Sequence, residues 1–316
     1  MVRAPRIGIT LGDPRGIGAE VTAAALPELT GFEPVLFGPR GLGDPERELE
    51  GLGRWVSTGR WSGDGGPRLA GELSARAVRL AVEEAGSGGL DGIVTAPISK
   101  AAIQAAGHAY PGHTELLREL TGAEEVTMMM AAERTPLGGP LRLALLTAHL
   151  PLRRVPDALT EGLVEARARI AIEALKGWWG IPRPRVAFAG LNPHAGEGGL
   201  FGDEELTVFQ PVLERLGKEP DLDLLGVFPA DTVFRKALEG SADLVITPYH
   251  DVGLAVLKTL ARDEGVNVTA GLPFPRTSPD HGTALDIAGT GTADPGAMRA
   301  AIELCVRFCN APVATP

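Results

Sequence analysis

Three histidines in this chain share one local grammar, and together they have the chemistry of a metal site. The stretch Tyr249-His250-Asp251-Val252-Gly253-Leu254-Ala255-Val256-Leu257-Lys258 follows the apolar run Leu244-Val245-Ile246-Thr247. That run reads as a buried parallel strand, and the stretch after it reads as the start of a helix. His149 ends a second apolar run, 143–148, and is followed by Leu150-Pro151. A third run, 186–191, ends in Asn192-Pro193-His194. Ligands bind at the carboxyl edge of open α/β sheets. A shared rim of one sheet, or of two facing subunits, would therefore bring the three imidazoles together. Three neutral imidazoles with open positions suit a catalytic divalent cation. Three unrelated loop histidines, each hydrogen-bonded and inert, fit the same text. Lys258 lies two helical turns beyond His250, on the face of His250 or Asp251.

Other polar residues stand at element ends. Lys100 follows the predicted strand 92–95 and is either a reach into the site or a solvated helix-start lysine. Gly112-His113-Thr114 opens a short predicted helix, with Thr114 as its N-cap and Gly122 as its stop. Free N–H groups at such a start suit a phosphate, although an ordinary cap with an exposed histidine is the simpler reading. Asp231 ends the predicted strand 224–228 and is expected to cap the next helix. The glycine-rich turn 12–20 lacks the dinucleotide-binding spacing and reads equally as backbone near a ligand or as a simple tight turn.

Positioning these residues requires a strand/helix alternation, and the chain supplies it. Strands are predicted at 6–11, 34–38, 92–95, 125–131, 224–228 and 267–272, besides the three that precede the histidines. Helices are predicted at 72–82, 112–122, 157–176, 203–216 and 298–309, with loop at 41–66 that holds at most one short strand, and loop at 195–199 and after 272. The class is α/β with a largely parallel sheet and helices on both faces. The formal charge of −10 and the lack of any basic run argue against nucleic acid or an anionic membrane as partner. The two cysteines, Cys305 and Cys309, lie four apart in a helical period and read as packing. No signal peptide and no apolar span of membrane length is seen, so a cytoplasmic location is expected.

Taken together, several motifs resemble the PdxA family, the 4-hydroxythreonine-4-phosphate dehydrogenases of vitamin B6 biosynthesis. They are Pro111-Gly112-His113-Thr114-Glu115, Thr147-Ala148-His149-Leu150-Pro151-Leu152, residues 190–199 around Asn192-Pro193-His194-Ala195-Gly196, Tyr249-His250-Asp251, and residues 276–284 from Arg276 to Ala284. The resemblance runs from Gly12-Asp13-Pro14 to the loop around Asp286. It implies an isocitrate/isopropylmalate dehydrogenase-like three-layer α/β/α fold with two subdomains and a cleft between them. One subdomain would be approximately 1–125 plus 275–316 and the other 126–274. It implies that His149, His194 and His250 bind a divalent metal, zinc first, with magnesium, cobalt or manganese as alternatives. His113, Thr114, Lys258, Asn267 and Arg276 would contact substrate. The site would be shared at a homodimer interface, with metal ligands from both subunits. His281, Gly282, Thr283 and Asp286 resemble the adenosine-binding loop of isopropylmalate and isocitrate dehydrogenases. A carboxylate at Asp286 favours NAD over NADP.

The implied reaction is NAD-dependent oxidation of 4-phosphohydroxy-L-threonine to the 3-oxo acid, which decarboxylates to 3-amino-2-oxopropyl phosphate. Lys258, Lys100 and Asp231 are candidates for the general base. Val252 and Ala255 stand where biosynthetic members usually carry Gln and Pro, and Pro275 and Pro279 where they usually carry Ile and Val. These departures admit a rival with the same chemistry, a D-threonate or D-erythronate 4-phosphate dehydrogenase of sugar-acid catabolism. A metal-dependent phosphohydrolase is a different class; it lacks a second carboxylate cluster here and leaves the Asp286 loop without a purpose. A non-catalytic ligand-binding protein on the same fold is the third.

Overall fold

Short apolar stretches alternate with helical periods, and the computed structural model of the chain follows that alternation. It describes residues 3–110, 112–261 and 264–311; Pro111, first residue of the His113 motif, lies outside them, as do Met1 and Val2. The strands are β1 (Arg6–Thr10), β2 (Glu33–Arg40), β3 (Arg54–Arg60), β4 (Gly92–Thr95), β5 (Thr127–Ala132), β6 (Leu141–Leu145), β7 (Arg185–Ala189), β8 (Asp223–Phe228), β9 (Leu244–Thr247), β10 (Val266–Ala270) and β11 (Arg276–Pro279). The helices are α1 (Gly18–Ala25), α2 (Asp44–Leu49), α3 (Gly66–Gly86), α4 (Lys100–Ala105), α5 (His113–Thr121), α6 (Val155–Ala158), α7 (Glu161–Gly177), α8 (Gln210–Leu216), α9 (Val233–Leu238), α10 (His250–Leu260) and α11 (Gly296–Asn310).

The chain divides into two compact units. One is Met1–Glu124 with Leu272–Asn310, the other Glu125–Gly271. In the first, the strand order is β3-β2-β1-β4-β11, all parallel. Ile7, Ile9, Leu36, Phe37, Ile93 and Val94 are fully buried on these strands. The apolar stripe of α3, Leu73, Ala77, Val78 and Ala81, is buried as well. On α11, Cys305 is buried with its Sγ 3.8 Å from the Ile93 carbonyl. A hydrogen bond to Cys309, followed by burial, pushes its thiol pKa well above the ordinary value. Cys305 therefore stays a protonated packing group.

In the second unit the order is β10-β5-β6-β9-β7-β8. β5 runs antiparallel to both β10 and β6, while β6, β9, β7 and β8 run parallel. The carboxyl ends of β6, β9 and β7 thus lie side by side, and the segments carrying His149, His250 and His194 leave from them. Leu254 and Leu257 of α10 join Leu143, Leu145, Val245 and Ala187 in one buried cluster. Each such side chain contributes roughly 1.5–3 kcal/mol when fully buried. That packing fixes which face of α10 turns inward and leaves Asp251 and Lys258 exposed.

Several sequence expectations are corrected. The 41–66 segment holds α2 and β3; β3 is the outer strand of its unit and carries Arg54, Ser57 and Arg60, so it lacks an apolar signature. The stretch after 272 contains β11, a polar strand that is nonetheless buried throughout. Its Thr277 hydroxyl donates to the Ala301 carbonyl at 2.7 Å, which removes the cost of burying it. The long helix α7 begins at Glu161, where the Thr160 side chain accepts from the Leu163 N–H, and a tight turn and α6 precede it. Gly112, not Thr114, stands at the N-cap of α5, while Gly122 ends it in the left-handed conformation. Thr232, not Asp231, occupies the cap position before α9, and its side chain makes no capping bond. No described helix is long and apolar enough to cross a membrane.

Candidate active site

His250 is the first residue of α10 and His149 lies four residues past β6. Their ring centroids are 5.8 Å apart, tilted by 44°. Both line a cavity of about 240 Å³ with Ala148, Leu150, Leu152, Tyr249 and Asp251. His250 Nδ1 is 2.7 Å from Asp251 Oδ1. A carboxylate on Nδ1 fixes the tautomer that carries the proton there and leaves Nε2 as the lone-pair donor, the usual arrangement behind a metal-binding histidine. Two imidazoles and an orienting carboxylate on one cavity wall are a donor set that fits a divalent cation. Among the described residues no three of His, Cys, Asp and Glu converge on one ion. The chain by itself assembles two of the three predicted ligands.

The third, His194, stands beyond β7, with its ring centroid 6.1 Å from that of Phe201. The segment expected as flexible loop is a left-handed turn. His194, Ala195, Gly196, Glu197 and Gly198 all have positive φ, from 45° to 81°. Left-handed helical backbone costs about 1–2 kcal/mol per non-glycine residue, so His194, Ala195 and Glu197 need compensation. Glu205 provides it. Its carboxylate is buried, Oε1 accepting from the Asn192 N–H at 2.8 Å and Oε2 from Asn192 Nδ2 at 3.0 Å. A Cβ on Gly196 would come within 2.8 Å of Glu205 Oε2, so the turn lies directly against the carboxylate. Glu205 is delivered by a π-helical turn, Glu205–Phe209, whose Phe209 ring packs edge-on against Phe188 of β7. Single π-turns of this kind concentrate at functional sites.

In the first unit, Arg276 of β11 is almost fully buried, and its Nη2 donates to Thr95 Oγ1 at the end of β4. Burial pulls its pKa down from the ordinary guanidinium value to about 9, which still leaves a cation at neutral pH. Burial and this cation push His113 well below its ordinary value, so its imidazole is neutral. His113 Nε2 is shut off from solvent and has no hydrogen-bond partner among the described residues. It heads α5, whose first N–H groups have no helical acceptors. A buried cation, a neutral imidazole and a helix start favour an anion such as phosphate.

The 281–291 loop is held by α1. Glu20 Oε2 accepts from Gly289 N–H at 2.9 Å and Oε1 from Gly291 N–H at 3.0 Å. Ile17 N–H donates to the Thr283 carbonyl at 3.0 Å. A Cβ on Gly16 would sit 2.6 Å from that carbonyl, so the glycine-rich turn exists to let this loop approach. Asp286 and Gly282 are exposed, and His281 Nδ1 is 2.9 Å from the Gly282 carbonyl. His281 Nε2 is buried with no partner among the described residues. An exposed carboxylate and an orphaned ring nitrogen on one loop fit the hydroxyls and base of a nucleotide.

Comparison with known proteins decides the family. The sequence pattern described as "Pyridoxal phosphate biosynthetic protein PdxA" matches residues 65–305. A 4-hydroxythreonine-4-phosphate dehydrogenase from Aromatoleum aromaticum is 44% identical over 99% of this chain and 100% of its own. The chain belongs to the PdxA family. The crystal structure of 4-hydroxythreonine-4-phosphate dehydrogenase from Klebsiella pneumoniae is 36% identical. It covers 97% of this chain and 100% of that one, with a TM-score of 0.83. Isocitrate dehydrogenase from Methylococcus capsulatus shares the fold at 14% identity, covering 98% of this chain and 86% of that one, TM-score 0.52. The protein is thus an oxidoreductase on an isocitrate dehydrogenase-like α/β fold.

The other candidate site residues lie on α10, β10, α4 and the turn before α9. Lys258 is on α10, seven residues from Asp251 and so on nearly the same meridian. Asn267 is half-buried on β10, in register with Met130. Lys100 opens α4 behind the Ser99 cap and is exposed, as is Asp231. Two functional residues were missed in the sequence. Glu205 occupies the apolar register 205/209/212/216, where Phe209, Val212 and Leu216 are its buried companions, and an acid in that register was the available signal. Glu20 reads locally as an ordinary acid in a first helical turn, and nothing near it announces the loop it holds.

Proposed function

We propose that this protein oxidises 4-phosphohydroxy-L-threonine to the 3-oxo acid, with NAD as acceptor and a divalent cation bound, and that the product decarboxylates to 3-amino-2-oxopropyl phosphate. The observation that carries the reading is the His149–His250 pair on one cavity wall, with Asp251 orienting His250. The names of the relatives supply the substrate.

His149, His194 and His250 would hold the ion, drawn from two copies of the chain. Exposed apolar side chains flank these histidines, Leu150 and Leu152 beside His149 and Leu200, Phe201 and Leu206 beside His194. A second copy would cover them, which supports a homodimer. The cation, zinc first among the candidates, supplies Lewis acidity that lowers the alcohol's pKa. NAD, when bound on the 281–291 loop, supplies the hydride acceptor, with Asp286 taking the adenosine ribose hydroxyls. Arg276, His113 and the α5 start hold the phosphate. Asn267 fixes the substrate's remaining polar end. Lys258 Nζ takes the hydroxyl proton as the C3 hydride leaves. It is preferred to Lys100 and Asp231 because it alone shares an element with His250. The new ketone lies β to the carboxylate, so the C1–C2 electron pair flows toward it as carbon dioxide departs, and C2 is then protonated.

The test is NADH formation with 4-phosphohydroxy-L-threonine and D-threonate 4-phosphate side by side, with and without chelator. Chelator-sensitive turnover of the amino acid is expected. Preference for the sugar acid would move the protein to catabolism, a rival kept by Val252, Ala255, Pro275 and Pro279. Turnover untouched by chelator would sink the metal assignment.

A further inference from the structure

We infer that Glu205, acting through Asn192, is a positioning residue that sets the direction of the His194 imidazole. The inference rests on the reading of His194 as a metal ligand, and its test separates the two.

His194 opens a run of six residues with positive φ, of which three, His194, Ala195 and Glu197, are not glycines. Within the turn, Ala195 N–H donates to the Asn192 carbonyl at 3.1 Å and Phe201 N–H to the Gly196 carbonyl at 3.2 Å. These bonds close the turn but do not choose its hand at His194. The choice is made at the entry, Asn192-Pro193. Both oxygens of Glu205 accept there, one from the backbone and one from the side chain of Asn192. Glu204 Oε2 accepts from the same Asn192 amide at 2.6 Å. Gly202 closes the other side, where a Cβ would meet Asn192 Nδ2 at 2.4 Å. Asn192 is therefore held on three sides, and the residue two positions on has its backbone direction set.

The apolar packing of this register does not itself call for an acid. Glu205 is buried in a register otherwise filled by Phe209, Val212 and Leu216, and no ion pair to it exists among the described residues. A leucine would fit that apolar register but would take both acceptors away from Asn192. What the carboxylate adds is acceptor geometry at Asn192. The outer partners of a ligating histidine typically tune metal affinity 10–100-fold.

The experiment compares Glu205→Leu and Glu205→Gln with wild type and with His194→Ala. Zinc affinity is measured by chelator competition, amide exchange over residues 193–200 by mass spectrometry, and Tm by calorimetry. Glu205→Leu is expected to lower Tm, speed exchange in the turn, and weaken zinc binding about 10–100-fold. Glu205→Gln keeps one acceptor and should fall between. Exchange and zinc affinity both unchanged in Glu205→Leu would overturn the inference. Faster exchange with zinc affinity unchanged, while His194→Ala weakens it, would reduce Glu205 to a structural role and also overturn it. If His194→Ala leaves zinc affinity unchanged, the ligand reading has failed, and the exchange data alone still decide whether Glu205 holds the turn.

Discussion

The His194 turn and the 281–291 loop are each gripped by a glutamate that accepts a pair of hydrogen bonds, Glu205 in the first and Glu20 in the second. Glu205 is buried, and it grips the entry of a strained six-residue turn from inside the unit's core. Glu20 reaches from the first turn of α1 to Gly289 and Gly291, in a loop whose Asp286 and Leu285 are exposed. In that loop one non-glycine residue, Ala284, has a left-handed φ. The first arrangement stores strain and allows one geometry, which suits a ligand whose bond length must be met within tenths of an ångström. The second fixes a loop at its ends and leaves its middle adaptable, which suits a cofactor that arrives and leaves each cycle.

The largest effect is expected where the strained turn meets its carboxylate. Gly196→Ala places a Cβ 2.8 Å from Glu205 Oε2 and adds a fourth non-glycine residue at positive φ. A loss of about 2–3 kcal/mol in urea unfolding is expected, from the clash and the backbone together. The corresponding Gly282→Ala, where nothing lies near a built Cβ, should cost less than about 0.5 kcal/mol. Equal losses at both positions would erase the distinction between a stiff and an adaptable loop.

Between these two lies the His113–Arg276 pair, rigid like the first but able to report by titration. The folded pKa of His113 is depressed, by burial first and the Arg276 cation second. Below the ordinary value of 6.5 the unfolded chain takes up a proton that the folded chain refuses. Stability from this group is full above that value and falls as pH drops through it, with a slope of at most about 1.4 kcal/mol per pH unit. Urea unfolding between pH 5 and 8 should show this decline, and His113→Asn should remove it. A decline of equal slope in the variant would mean that other groups cause it.

The contrast also marks where the sequence could be read and where it could not. The three strand-ending runs before His149, His194 and His250 are visible because each is apolar and followed by polar punctuation. That they emerge as the neighbouring parallel strands β6, β9 and β7 is a matter of sheet order, which periodicity does not contain. β11 reads as loop because its burial rests on strand neighbours rather than on an apolar pattern of its own, and the short strand expected within 41–66 is β3, at the edge of its unit. The left-handed turn at His194 was legible only as glycine content, since the force that winds it comes from residue 205. Glu20 and the loop it holds are 269 residues apart, a distance no local pattern bridges.

The smallest effect tests the adaptable side of the comparison. Glu20→Gln keeps the shape of the side chain but lowers its charge, and one of the two acceptors at Gly289 and Gly291 becomes a donor. Its exposed setting caps the loss at about 1 kcal/mol, roughly fivefold in an equilibrium. If NAD binds on this loop as proposed, that loss should appear as an approximately fivefold rise in KM for NAD. kcat should stay within about twofold, and Tm within about 2 °C. Glu205 variants should show the reverse pattern, with zinc affinity lost and KM for NAD little changed. If Glu20→Gln instead lowers kcat in step with KM, the 281–291 loop takes part in the transition state. It would then belong with the His194 turn as part of the rigid frame.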